Sequence, residues 1–107
     1  MSYGVHIERE ASPIRQEEWL AVLERDSEMR LEGTFDRTNP RTGEAIHMDA
    51  PGLAVWLSHP AGVRVLLDLR RGRISAGNPD KHTLAEMREL ARQLGAHVRG
   101  DEGEGYE

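Results

Sequence analysis

Cysteine is absent from this chain of 107 residues, so neither a disulfide bond nor a thiolate nucleophile or metal ligand can belong to it. The sequence also lacks any run of the ~20 apolar residues that a membrane-spanning helix needs. Its first residues, Met1 to His6, have neither the basic segment nor the apolar run of a secretory signal. Together these absences predict a protein of the cytoplasm that does not enter a membrane.

Patterns that mark common catalytic sites are missing as well. No glycine-rich phosphate loop follows a predicted strand, and no serine stands in the pattern of a nucleophile elbow. The histidines include no pair at the spacing of a helical zinc site; they are His6, His47, His59, His82 and His97. The sequence therefore predicts a non-catalytic binding protein that carries no cofactor and no metal.

One pair of residues supports a different interpretation. His47 and Asp49 lie two positions apart in a predicted strand, so their side chains share one side of it. A histidine beside a carboxylate could bind a metal ion or pass a proton. A small enzyme that works through this pair is therefore an alternative.

The formal net charge of the chain is −5. This charge argues against sequence-independent binding of nucleic acids, which needs several Lys or Arg side chains at one site. Clustered carboxylates would instead suit a basic partner. The acids that we expect to contact such a partner lie in the first predicted helix and near the C-terminal end, and they are Glu17, Glu18, Glu24, Asp26, Asp101, Glu102 and Glu104.

Four arginines crowd one predicted β-hairpin, and they are Arg64, Arg70, Arg71 and Arg73. Their guanidinium groups could together grip a phosphate or an RNA backbone, because a guanidinium binds such oxygens in a bidentate manner. An RNA- or anion-binding module is therefore a further alternative, and steep loss of binding with added salt would be its signature.

The length of the chain predicts one domain, residues 1–100, followed by an acidic, glycine-rich tail at 101–107. We expect this tail to be mobile unless Tyr106 docks. Alternating or continuous apolar patterns predict strands at 3–8, 31–35, 44–49, 53–57, 63–69, 73–76 and 96–99. The segments 31–35 and 44–49 should pair as a hairpin, as should 63–69 and 73–76, whose turn lies at Arg71-Gly72. The run 53–57 is expected to be buried on both faces.

Two segments have helical periodicity. The first runs to about Arg25 and begins either with Ser12 as its cap or, as we prefer, with Arg15, because Ile14 then packs on Trp19 as a hydrophobic staple. Its buried stripe is Trp19, Val22 and Leu23.

The second helix starts after Asn78 or Asp80 as the N-cap and ends at Gly95, which favours the left-handed conformation of a helix C-terminus. Its apolar stripe is Leu84, Met87, Leu90, Ala91 and Leu94. We expect it to pack on the apolar face of the hairpin beside it, which offers Val63, Val65, Leu67 and Leu69. The whole pattern predicts an α+β fold, an antiparallel sheet of about five to six strands with both helices on one face.

Several stretches together resemble a known group. They are Tyr3-Gly4-Val5-His6-Ile7, Ile14 before Glu17-Glu18-Trp19, Gly77-Asn78-Pro79-Asp80 before the helix with Leu84 and Met87, and the closing run from Leu94 to Glu104. This set, about half of the chain, resembles small stand-alone bacterial proteins similar to the cytoplasmic immunity proteins that neutralise polymorphic or contact-delivered toxins.

The resemblance implies a cognate toxin as the partner. Many toxins that act on nucleic acids are basic around the active site, and an acidic inhibitor associates quickly with such a surface and covers it. On this hypothesis the carboxylates of the first helix and of the tail imitate substrate phosphates.

Overall fold

The computed structural model describes residues 3–106, and all of their side chains except those of 35–37 and 48. Along the chain the elements are β1 (Gly4–Glu8), α1 (Gln16–Arg25), β2 (Met29–Leu31), β3 (Thr34–Thr38), β4 (Ala45–Asp49), β5 (Leu53–Trp56), β6 (Val65–Arg70), β7 (Arg73–Gly77), α2 (Lys81–Leu94) and β8 (His97–Gly100).

Six of these strands form one antiparallel sheet in the order β2-β5-β6-β7-β1-β8, with both helices on one of its faces. The core lies between the helices and that face, where Ile7, Leu67 and Ile74 of the sheet meet Trp19 of α1 and Met87 of α2, all fully buried. Strand alternation sends every second side chain into this core. The predicted α+β fold is confirmed.

Helix α1 begins at Arg15, the preferred of the two predicted caps. Ile14 and Trp19 are both buried in the core, as the proposed staple requires. An arginine side chain cannot accept a hydrogen bond, so Arg15 does not cap the helix with its own side chain. Instead, the Glu18 carboxylate accepts a hydrogen bond from the Arg15 backbone N–H at 3.3 Å.

Helix α2 is capped by Asp80, whose Oδ1 accepts from the Thr83 N–H at 2.9 Å. That hydrogen bond, followed by the one with His59, lowers the pKa of Asp80 to about 2. Asn78, the other candidate cap, instead accepts from the Tyr3 N–H. The helix ends at Gly95, which has a φ of 64°, as predicted.

The predicted hairpin of 31–35 with 44–49 is wrong at its first strand. Gly33 has a φ of 74° and breaks the extended chain into two strands. Before it, β2 joins the six-stranded sheet beside β5, whereas β3 after it pairs with β4 in a separate two-stranded sheet. The prediction missed β2 because it treated the extended chain on both sides of the glycine as one segment.

Strand β5 is buried along its whole length, as predicted for a run covered on both faces. Leu57, the last residue of the predicted run 53–57, follows the strand and is 45% exposed, so the prediction was wrong at that position. It lies between β2 and β6. Val63 was expected on the core-facing side of the neighbouring hairpin, but it precedes β6 and is 52% exposed. The hairpin turn itself forms at Arg71 and Gly72, both at positive φ, which is the geometry that two-residue hairpin turns favour.

Residues beyond β8 fold back along that strand. The Tyr106 N–H donates to the carbonyl of Val98 at 2.9 Å, and the Gly100 N–H donates to the carbonyl of Glu104 at 3.0 Å. Tyr106 packs against the core and is partly buried. This part of the tail is therefore held by the docked Tyr106, and the edge of β8 is covered.

Candidate functional site

Glu18, predicted to contact a partner, is used within the fold. Its two carboxylate oxygens accept from Arg9 at 2.9 and 2.5 Å, and Arg9 also donates to the carbonyl of Leu94 at the end of α2. The hydrogen bonds from Arg9 lower the pKa of Glu18. Arg9 therefore links Glu18 of α1 to the end of α2, and a partner could bind the Glu18 carboxylate only in competition with Arg9.

Glu17 and Glu24, the other predicted acids within α1, are exposed. Glu17 pairs with Arg15 at 2.5 Å, with both side chains well exposed, and Glu24 is exposed. Asp26 follows the helix and accepts from the Glu28 N–H at 2.9 Å. An exposed ion pair such as Glu17 with Arg15 contributes little to stability and separates easily when a partner arrives.

An acidic patch that sequence reasoning missed lies where the end of α1 meets α2, and it consists of Asp26, Glu28, Glu86 and Glu89. Burial of the Glu86 carboxyl, and to a lesser extent the negative charges of the other three, together raise its pKa to about 7. Sequence reasoning missed Glu86 because the helical pattern alone does not show that the chain after α1 passes beside it.

The predicted acids near the C-terminal end do not join this patch. Asp101 accepts from the Gly4 N–H and pairs with the His6 ring, each at 2.7 Å. These contacts, with that of His6 the strongest, lower the pKa of Asp101. Since His6 alternates with the core residues Val5 and Ile7, its ring lies on the sheet face opposite the helices. Asp101 and the acids of α1 are thus on opposite faces of the sheet. Glu102 is exposed, and Glu104 accepts from the hydroxyl of Tyr106 at 3.2 Å.

The sheet face opposite the helices also holds a cluster of His6, Ser75 and Asp101 that the sequence did not suggest. The Nδ1 atom of His6 lies 2.7 Å from the Ser75 hydroxyl, and its Nε2 atom lies 2.7 Å from Asp101. With a proton on Nε2, this ring would accept from the serine as a general base does. Ser75 and Asp101 lie 69 and 95 positions after His6, so no local sequence pattern predicts that the three side chains meet.

The surroundings of Ser75 do not suit a nucleophile. It stands within β7, where it pairs with His6 of β1 on one side and with Asp68 of β6 on the other. The carboxylates of Asp68 and Asp101 would oppose the negative charge that develops when a serine attacks a carbonyl, whereas catalysis needs donors aimed at that charge. We interpret the cluster as a cross-link between strands.

The arginine hairpin is largely neutralised by carboxylates. Arg64 donates to Glu32 at 2.9 Å, and Arg70 pairs with Asp68 at 2.6 Å. Arg73 lies 3.8 Å from Glu8. Arg71 occupies the turn at a φ of 54°. The four arginines therefore do not form one uncompensated cationic cluster, so the geometry gives the anion-binding alternative little support.

His47 and Asp49 are both exposed on β4, opposite Asp36 and Thr34 of β3. They share one side of the strand, as expected, and they belong to the small two-stranded sheet, whereas the arginine hairpin belongs to the six-stranded sheet. Among the side chains that the structure describes, no group of three or more His, Asp or Glu is arranged to hold a metal ion.

Among the residues that the structure describes, neither α1 nor α2 combines the length and the apolar character that crossing a bilayer would require. Comparison of the chain with models of known protein families, with curated proteins and with solved structures gave no match.

Proposed function

We propose that this protein is a non-catalytic binding protein of the cytoplasm, and that it acts as an immunity protein whose acidic patch takes up a basic surface of a cognate bacterial toxin. The observation that carries the proposal is the position of the Glu86 carboxyl, which is partly buried and lies close to other negative charges. This carboxyl is half-buried beside Asp26, Glu28 and Glu89, of which Glu89 is paired with Arg92, and this placement costs free energy in the unbound protein. A basic side chain placed beside it would remove that cost.

The charge of the whole chain supports the same conclusion. A net charge of −5 attracts a basic partner over a long range and raises the rate of association. Glu28 of the acidic patch is exposed, and Glu24, which is also exposed, extends the negative charge along the end of α1. Of the predicted contact residues, Glu17, Glu24 and Asp26 therefore remain suited to binding. Glu18 and Asp101 are instead held by contacts within the protein, with Arg9 and His6 respectively.

The test has two stages. First, the protein is co-expressed with the product of the neighbouring gene, or used to capture its partner from the native host, and a stable stoichiometric complex with a basic protein is expected. Second, association rates are measured for the Glu24→Lys and Glu28→Lys variants. Both side chains are exposed, so the fold should tolerate the change, and association should slow by about tenfold at low salt and become less salt-dependent.

Glu44→Lys is a matched control, because Glu44 is an exposed acid just before β4, away from the acidic patch. A slowing of the same size in this variant would mean that only net charge matters. Unchanged association in all three variants, with a partner bound, would show that the partner uses another surface.

A further inference from the structure

A groove of about 280 Å³ lies between α2 and β8, on the side of the molecule where the chain returns after the last strand. Its floor and walls are mostly apolar, formed by Ala91, Ala96, Val98 and Tyr106, and His97 also lines it. Arg88 and Arg92 of α2 stand at its margin. Its volume is close to the lower end of the range seen for small-molecule sites.

The groove is built by backbone contacts that fix its shape. The Ala96 N–H donates to the carbonyl of Ala91 at 2.8 Å, which sets the short connection from α2 to β8. The Tyr106 N–H donates to the carbonyl of Val98 at 2.9 Å and so holds the tyrosine against the strand. Burial, followed by the hydrogen bond and the charge of Glu104, raises the pKa of the Tyr106 hydroxyl, so this side chain is uncharged at neutral pH.

The two arginines differ in their partners. Arg92 donates two hydrogen bonds to Glu89, at 3.1 and 2.5 Å, and its charge is compensated there. Arg88 is exposed, and in the part of the chain that the structure describes no carboxylate pairs with it. The groove thus combines apolar walls with one uncompensated guanidinium.

We propose that this groove binds a small molecule that carries a single negative charge on an apolar, aromatic-sized body. The apolar body lies against Ala91, Ala96 and the Tyr106 ring and loses its contact with water. The anionic group accepts hydrogen bonds from Arg88, and a charged pair of this kind is stronger than a neutral one. One free guanidinium matches one negative charge.

The experiment uses 2-naphthoate as the charged probe and 2-naphthamide as its neutral counterpart, each titrated into the full chain and followed by NMR. We expect 2-naphthoate to shift the methyl signals of Ala91 and Ala96 and the Nε–H signal of Arg88. In Arg88→Gln its dissociation constant should rise about tenfold, the size expected for loss of one charged hydrogen bond. The amide should bind more weakly, and Arg88→Gln should not affect it.

Arg41→Gln is the matched control, since Arg41 is also an exposed arginine without a carboxylate partner among residues 3–106, and it lies between β3 and β4. Affinity for 2-naphthoate should be unchanged in this variant. The proposal is overturned if millimolar 2-naphthoate leaves the groove methyls unshifted, if Arg88→Gln binds it as well as the wild type, or if the amide binds equally. The outcome is independent of the toxin partner, because the acidic patch contributes no residue to the groove.

Discussion

The Nε2 atom of His6 lies 2.7 Å from the Oδ1 atom of Asp101, although 95 positions separate the two residues in the chain. The other oxygen of Asp101 accepts from the Gly4 N–H at 2.7 Å. One carboxylate therefore fastens β1 to the turn that follows β8. A second contact from the His6 ring, to Ser75, extends the link to β7.

Replacing Asp101 with Asn should weaken this link and lower the urea midpoint of unfolding at pH 7. The amide has no charge and can orient only one oxygen toward two donors. Because folding lowers the pKa of Asp101, its stabilising effect is present above the ordinary pKa of an aspartate and is lost as the pH falls through the lowered value. Wild type and Asp101→Asn should therefore differ above about pH 5 and converge in strong acid.

Glu102→Gln serves as the control for this comparison, because Glu102 is an adjacent, exposed acid. Its midpoint should match that of the wild type across the same pH range. Equal midpoints for Asp101→Asn and Glu102→Gln at pH 7 would show that the His6 contact adds nothing to stability.

Glu86→Gln should stabilise the protein at pH 8 by about 1 kcal/mol, a value reduced from the full pKa shift because solvent screens a half-exposed carboxyl. Folding raises the pKa of this group from 4.5 to about 7. The folded state thus holds the proton more tightly, and stability decreases as the pH rises between these two values. Below about pH 4 the variant should show no such gain.

The measurement is urea unfolding at a series of pH values, with Glu24→Gln as the control, since Glu24 is an exposed acid of α1. If the stability of Glu86→Gln depends on pH in the same way as that of the wild type, ionisation of Glu86 is not what destabilises the protein at high pH.

The two tryptophans are both buried but differ in their hydrogen bonds. The indole Nε1–H of Trp19 donates to the carbonyl of Gly52 at 3.0 Å. The Nε1–H of Trp56 is buried and has no acceptor among the described residues. Trp19→Phe should therefore lower the free energy of unfolding by about 2 kcal/mol or more, because it removes packed atoms and the hydrogen bond from the indole to the Gly52 carbonyl, which also accepts from the Leu69 N–H.

Trp56→Phe should cost less, about 1 kcal/mol, because removal of an unpaired buried donor offsets part of the lost packing. Chemical denaturation of both variants gives the comparison directly. If Trp56→Phe is the more destabilising of the two, the hydrogen bond to Gly52 is not what distinguishes them.

Gly95→Ala should destabilise the protein by about 1 kcal/mol, because the C-cap residue has a φ of 64° that an L-residue with a Cβ adopts only at a cost. The space around Gly95 is open, so the cost is conformational and not steric. Gly77→Ala is the control: its surroundings are equally open and its φ is not positive, so its thermal midpoint should stay within a degree or two of the wild type. Equal effects at the two positions would contradict the argument.

Much of the fold could be predicted because the signals are local. The stripe containing Met87 and Leu90, together with the stop at Gly95, defined α2 closely, since helix periodicity and left-handed glycine depend on near neighbours. The same holds for the cap of α1 at Arg15. Gly33 shows the limit, because whether a glycine adopts positive φ within an extended segment depends on which strands its flanks join.

The candidate site was predicted less well. Net charge and the acids of α1 could be read directly, but the pairing of Glu18 with Arg9 and the position of Glu86 beside Asp26 arise only when the helices pack. Carboxylates look alike in a sequence, and their roles differ through the charges that folding brings near them.

The amino-acid sequence by itself determined the helix ends, the buried stripe of each helix and the α+β class, because these follow from residue spacing and backbone preference. Only the tertiary structure decided that β1 lies between β7 and β8, and therefore that His6, Ser75 and Asp101 meet. Strand order depends on how distant segments share one core, and no local pattern encodes which polar side chains then become neighbours.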